Sequence, residues 1–151
     1  MQVTSTIEVS AESFFDYLVK MHQDAAEQSS KKKLSRKDIL DGTVYDCQAQ
    51  FGNDRKSIHI HIGPVLEYRY FEVNYETKKD RVKYFYDLSE IDQHRCKVTY
   101  YEKTVPLVSK NGILNSIQSK YDDTQAAIAA QSAIAKIEKA ILREERESRS
   151  H

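Results

Sequence analysis

The spacing of apolar and polar positions changes period along the chain, and the elements follow from those changes. Val3, Ser5, Ile7 and Val9 share one side of an alternating stretch, so Val3 to Val9 reads as a first strand. Ser10 then stands as a helix N-cap with Glu12 in the first turn. Phe14, Phe15, Leu18 and Val19, with Met21 or His22 as the next position, step by three and four, which predicts a short amphipathic helix. Gln23 to Lys33 is polar. Ser35 caps a further helical turn that runs through Leu40 and ends at Asp41-Gly42.

From Thr43 the pattern alternates. Tyr45, Cys47, Ala49 and Phe51 oppose Val44, Asp46, Gln48 and Gln50, and Gly52-Asn53-Asp54 is a turn. Lys56 to Ile62 sets Ile58, Ile60 and Ile62 against His59 and His61, and Gly63-Pro64 punctuates it. Val65 to Thr77 is a long, bent strand candidate bearing Tyr68, Tyr70, Phe71, Val73 and Tyr75. Lys78-Lys79-Asp80 turns the chain into Arg81 to Ile91, with Val82, Tyr84, Tyr86 and Leu88 on one face. Asp92-Gln93-His94 turns it again into Arg95 to Val105, where Cys96, Val98 and Tyr100 oppose Lys97, Thr99 and Tyr101. Connections this short join antiparallel strands, because parallel neighbours need long crossovers.

After the loop Pro106 to Gly112 the period becomes helical from Ile113 to about Arg143. Leu114, Ile117, Tyr121, Ala127 or Ile128, Ala130, Ile134, Ile137 and Ile141 form its stripe. A long helix following a run of strands buries its stripe on their sheet. The expected fold is therefore α+β: about six strands in one curved antiparallel sheet wrapped around a long C-terminal helix, with one or two short helices after the first strand. Residues 1–142 make a single domain, and 143–151 is a charged tail that frays or extends as solvated helix.

Three stretches give this order a family likeness: the opening TSTIEVSAESFFDYLV, the hairpin RVKYFYDLSEIDQHRCKVTYYEKTV, and the closing AIAKIEKAIL. From Val3 to Leu142 the chain resembles a START-like domain. This is the helix-grip fold shared by the SRPBCC superfamily, the polyketide cyclases and the birch-pollen-allergen family. More narrowly it resembles an uncharacterised bacterial domain of unknown function within that superfamily. The resemblance implies a cavity between sheet and helix that takes an apolar ligand. The larger members commonly have seven strands where about six are expected here.

Composition narrows the partners. Lys plus Arg and Asp plus Glu number 23 each, a balance that argues against nucleic acid, whose phosphates call for a basic excess or patch. The densest basic run, Lys31-Lys32-Lys33 with Arg36 and Lys37, reads as a solvated loop or helix end, with contact to a phosphate or an anionic membrane surface as the alternative. No apolar stretch approaches the roughly 20 residues that span a bilayer. The N-terminus lacks the basic-then-apolar pattern of a signal peptide, and the cytoplasm is the expected location. Cys47 and Cys96 read as reduced, small apolar residues that could neighbour one another in the sheet.

The candidate binding surface is the expected cavity lining: Ile58, Ile60, Ile62, Tyr84, Tyr86, Val98 and Tyr100 from strands, with Tyr121 and Ile128 from the helix. Ten tyrosines and no tryptophan suit such a site, since each phenol pairs an apolar body with a polar tip. The competing account of the same residues is a filled core with cross-strand aromatic pairs outside it. His59 and His61 share a strand face, but a zinc site needs a third protein ligand. His94, Glu72 and Asp46 are the types on offer, and if the isoleucines face the helix both histidines face solvent. Asp46, Glu67, Glu72, Glu76, Asp87, Glu90 and Glu102 could serve acid–base chemistry, and spacing singles out no pair. No phosphate loop, nucleophile elbow or cofactor motif is present, so no metal, cofactor or catalytic residue is expected.

Three functions compete at this stage. The leading one is a small protein that holds an apolar or amphipathic small molecule between sheet and helix. The second is an interaction or regulatory module with a filled core. The third is a cyclase-like or hydrolase-like enzyme. The Ala-rich segment Ala126 to Ala130 lets the sheet close on the helix, and a homodimer through the helix or a sheet edge is the alternative use of its small residues.

Overall fold

A computed structural model describes residues 1–51, 53–107 and 112–150, the side chains of 49, 51, 54 and 112–122 excepted. The order is β1 (Gln2–Ile7), α1 (Ala11–Ser30), α2 (Arg36–Leu40), β2 (Val44–Phe51), β3 (Asp54–Leu66), β4 (Tyr70–Glu76), β5 (Asp80–Asp92), β6 (Arg95–Pro106) and α3 (Gly112–Arg149). The strands form a six-stranded antiparallel sheet in the order β1-β6-β5-β4-β3-β2. Hairpins join β2 through β6 in sequence. β1 closes the other end by pairing Val3 with Tyr100, Ser5 with Val98 and Ile7 with Cys96.

α1 is longer than the polar stretch from Gln23 suggests. Its buried positions continue the stripe: Ala11, Phe14, Phe15, Leu18 and Val19 are followed by His22 and Ala26. A histidine and an alanine are weak hydrophobic signals, yet they fill the inward face one and two turns beyond Leu18. Ser10 caps the start, accepting the Ser13 N–H at 3.1 Å. Lys31, with φ of 57°, ends it by donating its N–H to Glu27 O. Phe14 and Phe15 have no exposed surface, and burying each contributes roughly 2–3 kcal/mol. α2 carries a full capping box, with Ser35 accepting from Asp38 N–H and Asp38 accepting from Ser35 N–H.

Gly63-Pro64 does not end β3. The register with β4 shifts between Ile62 and Val65, so the strand bulges there and runs on to Leu66. Proline has no N–H to give the ladder, and Gly63 takes a φ of +120° that other residues rarely adopt. The reversal falls later, at 67–69. Arg69 N–H bonds to Leu66 O and Tyr68 takes a left-handed φ of 63°. What reads from sequence as one bent strand over Val65 to Thr77 is thus the end of β3, a turn and β4.

The described side chains of α3 pack on β1 and α1. Ala130, Ile134, Ile137 and Ile141 are buried, and Ala127 is half-buried against the core. Two carboxylates fasten the helix: Glu138 accepts the Glu8 N–H at 2.7 Å and Glu145 accepts the Ser13 hydroxyl at 3.3 Å. Ile128 departs from the expected lining. It is 57% exposed, because it follows the inward Ala127 by one residue and a helix turns about 100° per residue. The helix also runs past Arg143 to Arg149, through Glu and Arg residues with good helix propensity and an i,i+4 contact between Glu145 and Arg149. Cys47 on β2 and Cys96 on β6 are both free, and β3, β4 and β5 lie between their strands, so they are not sheet neighbours.

Candidate ligand site on the concave sheet face

Register places a band of tyrosines on the helix-bearing face. Tyr100 pairs with Tyr86, and Tyr86 with Phe71. One row on, Glu102 pairs with Tyr84, and Tyr84 with Val73. In the next row Tyr75 lies between Val82 and Ile60, and Ile60 pairs with Tyr45. The rings touch one another. Centroids are 5.0 Å apart for Tyr86–Tyr100, 5.8 Å for Tyr84–Tyr100, 6.2 Å for Tyr84–Tyr86 and 6.3 Å for Tyr75–Tyr84. α1 covers one end of the band: Phe14 meets Tyr86 edge-on at 5.5 Å, and His22 stacks on Phe71 at 5.2 Å.

Polar atoms converge within this apolar setting. The Tyr100 hydroxyl donates to Glu102 Oε1 at 2.7 Å. His22 Nδ1 and the Tyr45 hydroxyl share a hydrogen bond of 3.0 Å. Burial raises the phenols of Tyr45 and Tyr86 to about 12, and it raises those of Tyr75 and Tyr84 as well. The Tyr100 phenol is raised first by burial and then by its bond to Glu102. These hydroxyls stay protonated at neutral pH and act as donors. Burial lowers His22 to about 4, so its imidazole is neutral. Tyr84, with Tyr75 and Glu102 beside it, is half-buried, whereas Tyr86 and Tyr100 are buried.

Of the residues expected to line a cavity, Ile58, Ile60, Ile62, Tyr84, Tyr86, Val98 and Tyr100 all stand on this concave face. Ile128 does not, and the side chain of Tyr121 lies outside the described residues. Sequence reasoning left out Tyr45, Tyr75 and His22. It named Glu102 without giving it a side, although Val98, Tyr100 and Glu102 follow one another at strand period.

The outer face is different in kind. His59 and His61 are exposed, and His59 Nδ1 contacts Asp46 Oδ1 at 2.7 Å. No group of three metal-ligating side chains occurs among the described residues. Glu76 pairs with Arg81 at 2.7 Å and Glu67 with Arg36 at 3.4 Å. Glu72 is buried there, accepting from Tyr70 at 2.6 Å and Asn74 at 2.9 Å, with Lys83 at 3.6 Å. A separate groove of about 590 Å³ lies between α1 and α3, with Tyr17, Met21 and Ile141 among its walls and Asp16, Lys20, Asp24, Glu144 and Glu145 around them.

A family model described as Domain of unknown function (DUF3284) matches residues 1–122. The chain belongs to that family. No curated protein matches it. Among solved structures the chain is similar to the Zhui aromatase/cyclase from Streptomyces sp. R1128, at 9% identity and a TM-score of 0.64, covering 95% of this chain and 93% of that one. It is also similar to a protein of unknown function from Staphylococcus aureus, at 12% identity and a TM-score of 0.61, covering 97% and 96%. A START superfamily protein from Mycobacterium smegmatis aligns at 7% identity and a TM-score of 0.59, covering 93% and 97%. At such identities the likeness speaks for the fold, which is START-like: a curved antiparallel sheet holding a long C-terminal helix. No helix among the described residues is long and apolar enough to cross a membrane.

Proposed function

We propose that this DUF3284 member is a small-molecule-binding protein of the cytoplasm that holds an apolar or amphipathic ligand between its sheet and its C-terminal helix. The observation that carries this reading is the concave band of Tyr75, Tyr84, Tyr86, Tyr100 and Glu102, in which Tyr75, Tyr84 and Glu102 keep accessible surface. Binding sites of this kind combine an apolar lining with a few convergent polar groups. The isoleucines of β3 and the valines of β4, β5 and β6 supply the first, and the phenols and one carboxylate supply the second. Free Cys47 and Cys96 accord with a reducing compartment.

The same chemistry weighs against acid–base catalysis by these phenols and by His22. An effective general acid or base titrates near the working pH. Here the phenols are raised and His22 is lowered, both away from neutrality. The interaction-module reading draws its support from the outer groove between α1 and α3, whose mixed apolar and charged walls suit a protein partner better than an apolar molecule.

Native mass spectrometry of the protein purified from its own host tests the proposal. A reproducible adduct of small-molecule mass, released on denaturation, supports it. A bare polypeptide mass from several growth conditions, together with no displacement of an apolar fluorescent probe, would remove it.

A further inference from the structure

Resting on that reading, we infer that the ligand's polar end is a protonated amine or other strong hydrogen-bond donor, held by Glu102 against the faces of the surrounding tyrosines, and that anionic amphiphiles such as fatty carboxylates are excluded. Three observations lead here. Glu102 sets a carboxylate against the tyrosine cluster, placed there by its pairing with Tyr84 and its bond from Tyr100. That bond engages Oε1, and among the described residues none donates to Oε2. The Met1 ammonium bonds to the Glu102 carbonyl oxygen at 3.0 Å, and the Met1 carbonyl accepts from the Glu102 N–H at 2.9 Å, so both contacts continue the β1–β6 ladder and leave the carboxylate alone.

The rings reinforce the same sign. Aromatic faces carry negative charge density and attract cations within about 6 Å of the centroid. Tyr84, flanked by Tyr75, Tyr86 and Tyr100, offers several such faces around one carboxylate. The neighbouring imidazole, His22, is neutral and bonded to Tyr45, so it supplies no cation for an anionic head group. A ligand carboxylate would stand beside Glu102 with no compensating charge from the tyrosines or His22, which costs far more inside the fold than in water. A ligand ammonium would instead complete an ion pair with Oε2 beside aromatic rings, while its alkyl chain lies along Ile58, Ile60 and Val73.

The test uses the full-length protein and three ten-carbon probes: decylamine, decan-1-ol and decanoate. Each is titrated at neutral pH below its micelle concentration against a bound apolar fluorophore. The expected order is amine, then alcohol, then carboxylate, with about tenfold or more between the amine and the carboxylate, as one charge-assisted bond allows. Glu102→Gln should bring amine and alcohol to within about twofold of each other, the preference having rested on one charge. Tyr100→Phe, which keeps the carboxylate, should retain the order. A carboxylate that displaces as well as the amine overturns this inference and leaves ligand binding standing. So does an amine preference that survives Glu102→Gln. If none of the three displaces the fluorophore, the binding function itself falls, and this inference with it.

Discussion

Burial makes His22 a sensor of acid. Its imidazole sits between Phe71 and Tyr45 with a pKa lowered to about 4, against an unfolded value near 6.5. The unfolded chain therefore takes up a proton as pH falls below 6.5, and the folded chain does so only near 4. The contribution of His22 is constant above pH 7 and declines across that window, by roughly 3 kcal/mol for the full shift. Urea denaturation at pH 7.5 and pH 5 reads this loss, and His22→Gln should flatten it. An unchanged pH slope in that variant would place the sensitivity elsewhere. Glu102 is the residue that gives the concave face its charge. Its side was open to reading, because Tyr100 and Glu102 are two residues apart on one strand. What could not be read was the neighbour across the ladder, Tyr84, since register is a property of two strands and the turn between them.

At the scale of elements, the helix faces make the sharpest forecast. Ile134 is 1% exposed, and truncation to alanine should cost about 2–5 kcal/mol. Ile128→Ala, on the outward side, should change stability by less than about 0.5 kcal/mol. Equal losses from the two variants in chemical denaturation would mean that the helix is rotated from this orientation. Removing the α2 cap by Ser35→Ala should cost about 1 kcal/mol through its lost bond to the Asp38 N–H. The strand count and antiparallel order, and the grip on a C-terminal helix, were legible from period and turn spacing. Two boundaries were not, each for its own reason. α1 continues past His22 through Ala26, which polarity scales undervalue. β3 passes through Gly63-Pro64 by a bulge, a tertiary accommodation of a residue pair that usually ends strands. α3 runs past Arg143 as solvated helix, the second of the two outcomes expected for the charged tail. The choice between Ala127 and Ile128 was open in the pattern, and packing against β1 and α1 settles it for the smaller residue.

For the whole molecule, the sheet order puts β1 and β2 at opposite edges, with α3 packed on β1 and α1 on β2. α1 and the C-terminal part of α3 cover the region around Ile7, Phe14, Phe71 and Ile134 with close-packed side chains. The tyrosine band adjoins that core and runs on toward Val82 and Tyr75. Under the proposed function the first region carries stability and the second meets the ligand. Substitutions in the two regions should separate accordingly: Phe15→Ala lowers stability by several kcal/mol, about 3–5 for a fully buried phenylalanine. Tyr75→Phe should change ligand affinity with little effect on the melting temperature. Methyl-resolved NMR of the isoleucine, leucine, valine and methionine side chains during titration with decylamine tests this division most directly. The account predicts shifts that saturate at Ile60, Val73, Val82 and Val98, with Met21 and Ile141 in the outer groove unmoved. Shifts confined to Met21 and Ile141, or none at the concave methyls at the highest soluble ligand concentration, would contradict it.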